Sequence, residues 1–168
     1  MSKTIAQKLK KSAAHEAKRL ARLSAMQALY QADIMQQSAV LVLKEFEAHR
    51  LMNVGGDMIW HDADTGDRLG SIDVMLMRDI VALALSHREA VENLISANLP
   101  AGWPYNRLEK PLQMILLAGA AELYQQPQTP VGAIISDYVD IAHAFYDDSK
   151  EKGMVNAVLD KVAKAVRS

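Results

Sequence analysis

Apolar side chains recur at intervals of three and four along most of this sequence, and breaks in that rhythm mark out about seven helices. The first runs from about Ala14 to Gln36. At about 100° per residue, Ala14, Ala17, Ala21, Ala25, Ala28 and Ala32 fall on one side, while Lys8, Lys11, His15, Lys18, Arg19 and Arg22 gather on another. One face is small and suits close helix packing; the other is a cationic stripe. Ser38 is placed to cap a second helix carrying Val40, Leu43, Phe46 and Leu51. The stretch 53–70 holds Gly55-Gly56, Asp57, Asp62, Asp64, Gly66, Asp67 and Gly70, which is loop composition, with Trp60 pinning it to the body.

Ser71 suits the N-cap of a third helix. Its two stripes, Val74, Met77, Val81 and Ala84 beside Leu76, Ile80 and Leu83, predict a central, buried element. Ser86 and Glu89 have capping-box spacing and open a fourth helix, with Val91, Leu94 and Ile95 turned inward. Leu99-Pro100-Ala101-Gly102-Trp103-Pro104 is a hard stop. It divides a single domain, 14–168, into an N-terminal half (14–100) and a C-terminal half (104–168). Pro111 fits the first turn of a fifth helix, and Thr129-Pro130 opens a sixth through Ile134, Tyr138 and Phe145. Asp147-Asp148-Ser149 ends that helix and caps a seventh, where Val155, Val158, Leu159 and Val162 keep the cleanest 3.6-residue period. Residues 1–13 are polar and Lys-rich and read as a basic flexible arm.

Composition sharpens the class. Half of the 168 residues are apolar but only 5% are aromatic, so Leu, Ile, Val, Ala and nine Met fill the core. Such side chains pack between helices more readily than in a β-sandwich, and the expected fold is all-α, with about seven helices in two packed bundles. The absence of cysteine excludes disulfides, thiolate metal sites and Cys nucleophiles. No apolar run approaches ~18 residues, so no membrane span is expected, and the expected location is cytoplasmic. The acid-poor N-terminus has some character of an organellar transit peptide, but its cations are mostly Lys and its helix continues into packing positions.

Net charge is −1 and uninformative; its distribution is not. Residues 1–22 carry seven basic side chains against Glu16 alone, whereas the rest of the chain holds 12 basic and 19 acidic residues. A basic end on an acidic body suits a polyanionic partner at one end and a basic protein elsewhere. By itself the stripe reads as readily as a solvated helix face. Gln27 and Tyr30 follow on the same helix and offer an amide and a ring of the kind single-stranded RNA uses.

Catalytic constellations are wanting. There is no Gly-rich phosphate loop, no His-Glu-x-x-His and no nucleophile elbow. His87-Arg88-Glu89 mimics the start of a zinc deaminase signature but lacks the cysteines that chemistry needs. Asp62-x-Asp64-x-Gly66-Asp67 faintly resembles a calcium loop, yet Gly66 and Asp67 stand where a ligand and a glycine are required. Arg78-Asp79, inside an apolar helix, reads as a partly buried structural pair. Metal sites and cofactors are therefore not expected, and a hydrolase built on His61, Asp62 and Asp64 is the weakest alternative.

Four segments, in order, resemble the NusB family of bacterial transcription antitermination factors. They are Lys18-Arg19-x-Ala21-Arg22 with Ala25-x-Gln27-Ala28-Leu29-Tyr30-Gln31; Met77-Arg78-Asp79-Ile80-Val81; Pro130 to Ala142; and Met154-Val155-Asn156-Ala157-Val158-Leu159-Asp160-Lys161. The resemblance implies two helical bundles and a non-catalytic adaptor. It implies binding of single-stranded boxA RNA of ribosomal-RNA operon transcripts, together with the small-subunit ribosomal protein NusE, other antitermination factors and RNA polymerase. By position it implies RNA contacts at Lys18, Arg19, Arg22, Gln27 and Tyr30, with Lys11 added from the arm, and partner contacts at Asp147, Asp148 and Asp137. Gln113, Leu117 and Ala121 depart from the family's frequent Arg, Arg and Tyr. A helical protein-interaction module without RNA binding is the alternative.

Overall fold

The computed structural model describes residues 5–62, 65 and 67–167, with side chains from residue 13 onward. Among them are seven α-helices: α1 (Ile5–Met35), α2 (Ala39–Arg50), α3 (Val74–Ser86), α4 (Arg88–Asn98), α5 (Lys110–Gln125), α6 (Val131–Phe145) and α7 (Ser149–Val166). Helix α1 thus begins at Ile5, well before the expected Ala14. It ends where Gln36 adopts a left-handed conformation (φ 52°) and the Gln37 N–H reaches back to the Ala32 carbonyl at 2.9 Å.

The central element is α5, not the third helix. Every residue from Leu112 to Leu123 is buried, as expected of a helix enclosed on all sides, and α1, α3, α4, α6 and α7 all pack on it. Helix α3 keeps an outer face, with Met75 65% exposed. Close approach at the centre depends on Gly119: a Cβ there would lie 2.9 Å from a Leu159 methyl and 3.2 Å from the Tyr138 ring.

The stretch read as a loop is a three-stranded antiparallel sheet in the order β1 (Leu51–Val54), β2 (Asp57–His61), β3 (Arg68–Ser71). The reason lies in Gly55-Gly56. Both adopt positive φ (60° and 92°), which a tight two-residue hairpin requires, and Val54 pairs with Asp57 across them. Leu51 consequently belongs to a strand, and Val40 points outward from α2. Trp60 does pin the segment: it is buried, with its ring centroid 6.0 Å from that of Phe46 on α2.

The sheet returns to the helices through backbone. The Asp73 N–H donates to the Ala17 carbonyl of α1 at 3.1 Å, and the Asp73 carboxylate accepts from the Leu76 N–H at 3.0 Å. Asp73, not Ser71, therefore caps α3. The capping box at Ser86 does not form, because Ser86 stays helical and its hydroxyl donates back to the Ala82 carbonyl at 2.8 Å. Arg78 is surface-exposed, and its guanidinium pairs with Glu47 of α2 at 2.7 and 2.9 Å. Among the described residues no helix is long and apolar enough to cross a membrane.

Candidate nucleic-acid interface

The face of α1 that packs holds Ala21, Ala25, Ala28 and Ala32, all buried. Arg22 goes in with them and is 1% exposed. Its Nε and Nη2 donate to the Glu122 carboxylate of α5 at 2.7–3.0 Å, and its Nη1 donates to Asp137 of α6 at 2.7 Å. Burial opposes that charge, but the hydrogen bonds and field of Glu122, reinforced by Asp137, hold the guanidinium above its ordinary pKa. Arg22 is therefore a buried tie between three helices, and the expected phosphate contact is corrected: its donors already face internal carboxylates.

Asp137 is corrected in the same way. It is wholly buried, accepts from Arg22, and lies 3.5 Å from both the Arg19 Nε and the His15 Nε2. A partner protein has no access to it.

What remains of the stripe is narrower. Lys18 is exposed and makes no ion pair among the described residues. Arg19 is half-exposed and donates to Asp140 at 3.0 Å, with Glu16 at 3.9 Å, so part of its charge is already compensated. The side chain of Lys11 lies outside the described residues.

Gln27 and Tyr30 do not join Lys18. On α1 Gln27 sits about half a circumference from it, and Tyr30 lies on the side of Arg19 but roughly 16 Å further along. Both line a groove of about 420 Å³ between α1 and α2, with Gln31, Phe46 and Arg50. Sequence reasoning passed over Arg50. Its signal was its place on the last turn of α2, one helical turn after Phe46.

A second surface lies at the turn between α6 and α7. Asp147 and Asp148 are exposed there, and Asp148 caps α7 by accepting from the Lys150 N–H at 3.2 Å. The Lys150 ammonium sits 4.6 Å from the centroid of the Trp103 ring, which fastens the turn to the connection between α4 and α5. Beside it is a groove of about 260 Å³ lined by Trp103, Arg107, Glu109, Tyr146 and Glu151. Burial pushes the Tyr146 phenol up to about 12, helped by Glu109, so it stays neutral at physiological pH.

The departing residues of the middle helix are inside. Gln113, Leu117 and Ala121 are buried, and the Gln113 amide donates to the carbonyls of Tyr105 and Leu108, both at 2.9 Å. A charged clamp that the sequence did not disclose stands nearby. Arg88 of α4 holds Asp33 of α1 through two hydrogen bonds of 2.7 and 2.8 Å, and Lys110 of α5 reaches the same carboxylate at 3.4 Å. The acidic segment considered for hydrolysis closes on itself: Asp62 accepts from the Thr65 N–H at 2.9 Å, and the Asp62 N–H donates to Asp67 at 2.8 Å. Asp64 lies outside the described residues.

Fold and surface first define a class: an all-α helical-bundle binding protein, with buried charge that ties helices together and exposed charge on the first helix and at one turn. The family follows from comparison. Residues 19–164 match the model of the NusB family, and the chain belongs to that family. A protein of Novosphingobium aromaticivorans named transcription antitermination protein NusB is 41% identical over 152 residues, 90% of this chain and 96% of its own. Its namesake in Rhizobium rhizogenes is 40% identical, over 88% of this chain and 86% of its own. Among solved structures, a chain in the crystal structure of antitermination factors NusB and NusE in complex with dsRNA superimposes with a TM-score of 0.68. It is 24% identical, and the match covers 88% of this chain and 96% of that one. NusB of T. maritima gives a TM-score of 0.66 at 21% identity, covering 87% and 89%. These two likenesses speak to the fold.

Proposed function

We propose that this NusB-family chain serves transcription antitermination as a non-catalytic adaptor, binding single-stranded boxA RNA of ribosomal-RNA operon transcripts jointly with the ribosomal protein NusE. The observation that carries this reading is the separation of exposed charge. The basic N-terminal half of α1 presents Lys18, while the exposed Asp147-Asp148 turn sits at the head of α7 on an acidic body. Phosphates suit the first surface and a basic protein suits the second. The relatives' shared name supports the process, and their NusB–NusE–RNA counterpart supports the pair of partners. Through NusE and RNA the chain joins the other antitermination factors on RNA polymerase.

The internal pairing of Arg19 and Arg22 bears on affinity. Few cations remain for phosphate, so binding by this chain alone is weak and the partner supplies the remainder. The same observation favours one rival, a protein-interaction module that ignores RNA. Fluorescence anisotropy with labelled boxA RNA and a scrambled control, with and without NusE, separates the two. The adaptor prefers boxA, more strongly with NusE present, and loses affinity as salt rises. Equal binding of both RNAs in the presence of NusE overturns the reading.

A further inference from the structure

The two edges of the sheet are not alike. Along β3 the edge is protected: Arg68 carries a charge, the pairing is bulged between Trp60 and His61, and α1 packs alongside. Charge, bulges and covering helices keep a strand edge from pairing with another chain. The opposite edge, β1, reads Leu51-Met52-Asn53-Val54. It has no charge, no proline and no bulge, and of the helices only α2, which leads into it, packs closely on it. Met52 is 45% exposed there.

The register decides which backbone groups this edge offers. Val54 and Asp57 close the two-residue turn and bond one another, and bonding alternates along an antiparallel pair. Met52 therefore bonds Ile59, while Leu51 and Asn53 turn their N–H and C=O groups away from β2. The Ile72 N–H donates to the Met58 carbonyl at 3.1 Å and fixes the same phase, because Met58, opposite Asn53, is turned to β3. A row of free donors and acceptors on a sheet edge is answered by another extended strand.

An antiparallel copy of β1 centred on Met52 answers all of it. Leu51 of each copy faces Asn53 of the other, and every outward group on both edges is paired. Met52 meets its own counterpart on the two-fold axis as a close, non-hydrogen-bonded pair. Ile59 already stands opposite Met52 within the sheet, so an apolar row crosses the joint on one face. A strand paired with itself sets like charges near each other, and β1 has none. Flanking charge is complementary. The basic lead-in of one β1, His49-Arg50, falls beside the hairpin tip of the other copy, which carries Asp57. Neither Arg50 nor Asp57 holds an ion pair among the described residues.

We propose that two copies of this chain associate through β1, joining their three-stranded sheets into one continuous antiparallel sheet. The strand is only four residues long, so the dimer is weak and forms as concentration rises. It uses neither Lys18 nor the Asp147-Asp148 turn, and it does not depend on the RNA reading.

Sedimentation velocity of the full chain, from low micromolar to about 1 mM, tests it. The wild type shifts from monomer toward dimer. Met52→Lys and Met52→Glu each set like charges on the axis and weaken association by about tenfold or more, whereas an equimolar mixture of the two restores it. Met75→Lys, a charge at another exposed methionine outside β1, leaves association unchanged. Circular dichroism and melting check that each variant keeps its fold. A wild type that stays monomeric throughout overturns the proposal, as does association that persists in both Met52 variants or falls equally in Met75→Lys. A mixture that stays monomeric overturns the two-fold register at Met52.

Discussion

Burial converts Arg22 from a ligand for phosphate into a bolt. Replacing it with Ala leaves Glu122 without its cation in a dry interior and Asp137 with only the longer 3.5 Å contacts to Arg19 and His15, a loss of about 3–5 kcal/mol in chemical denaturation. The partners lie 100 and 115 residues away, so no local periodicity points to them. A clue did exist. Glu122 interrupts an otherwise apolar stretch of α5, Asp137 sits among the core positions of α6, and two buried carboxylates demand a buried cation. Asp33 makes a pH-dependent counterpart. Its hydrogen bonds to Arg88 hold its pKa below the ordinary 3.8, so its contribution is complete above that value and fades as pH falls through the lowered one. Asp33→Asn should therefore lose about 1 kcal/mol near neutrality, and the gap from wild type should close in acid unfolding below pH ~4.

At the scale of elements, the periodicity of α1, α3, α4, α6 and α7 was legible because each buries a stripe against α5, while α2 buries its own against α1 and α3; the 3.6-residue repeat is the imprint of that burial. The sheet was not read, because aspartates and glycines dominate its composition. Yet Gly55-Gly56 flanked by Met52, Val54, Met58 and Trp60 is a hairpin signal, and Trp60 anchors what it builds. The sheet should thus be an integral part of the fold. Trp60→Ala is expected to cost about 3–5 kcal/mol, whereas Met52→Ser on the exposed strand should stay within about 0.5 kcal/mol of wild type. Equal effects in urea denaturation would mean that Trp60 does not hold the sheet to α2. The groove at the α1–α2 corner had half of its wall legible in Gln27 and Tyr30. The other half needed the packing of α2 to become visible.

Across the whole molecule the charge separation read from the sequence survives in altered form. It no longer includes Arg22, and Arg19 is shared with Asp140, so the Lys-rich residues before Ala14 carry more of the cationic burden. Removing residues 1–11 should lower RNA affinity and flatten its dependence on salt while leaving the melting temperature of the body within a few degrees. An unchanged salt slope would assign those lysines no part in binding. The buried Gln113, Leu117 and Ala121 leave α5 no exposed face at those positions.

The central claim is that RNA and a basic ribosomal protein meet on one adaptor, and it makes a thermodynamic demand. If NusE tightens boxA RNA by some factor, boxA RNA must tighten NusE by the same factor. Isothermal titration of NusE into this chain, with and without saturating boxA RNA, and the reverse titration close that cycle. The account predicts equal factors greater than one for boxA and near one for scrambled RNA. NusE affinity that is indifferent to boxA RNA would contradict it.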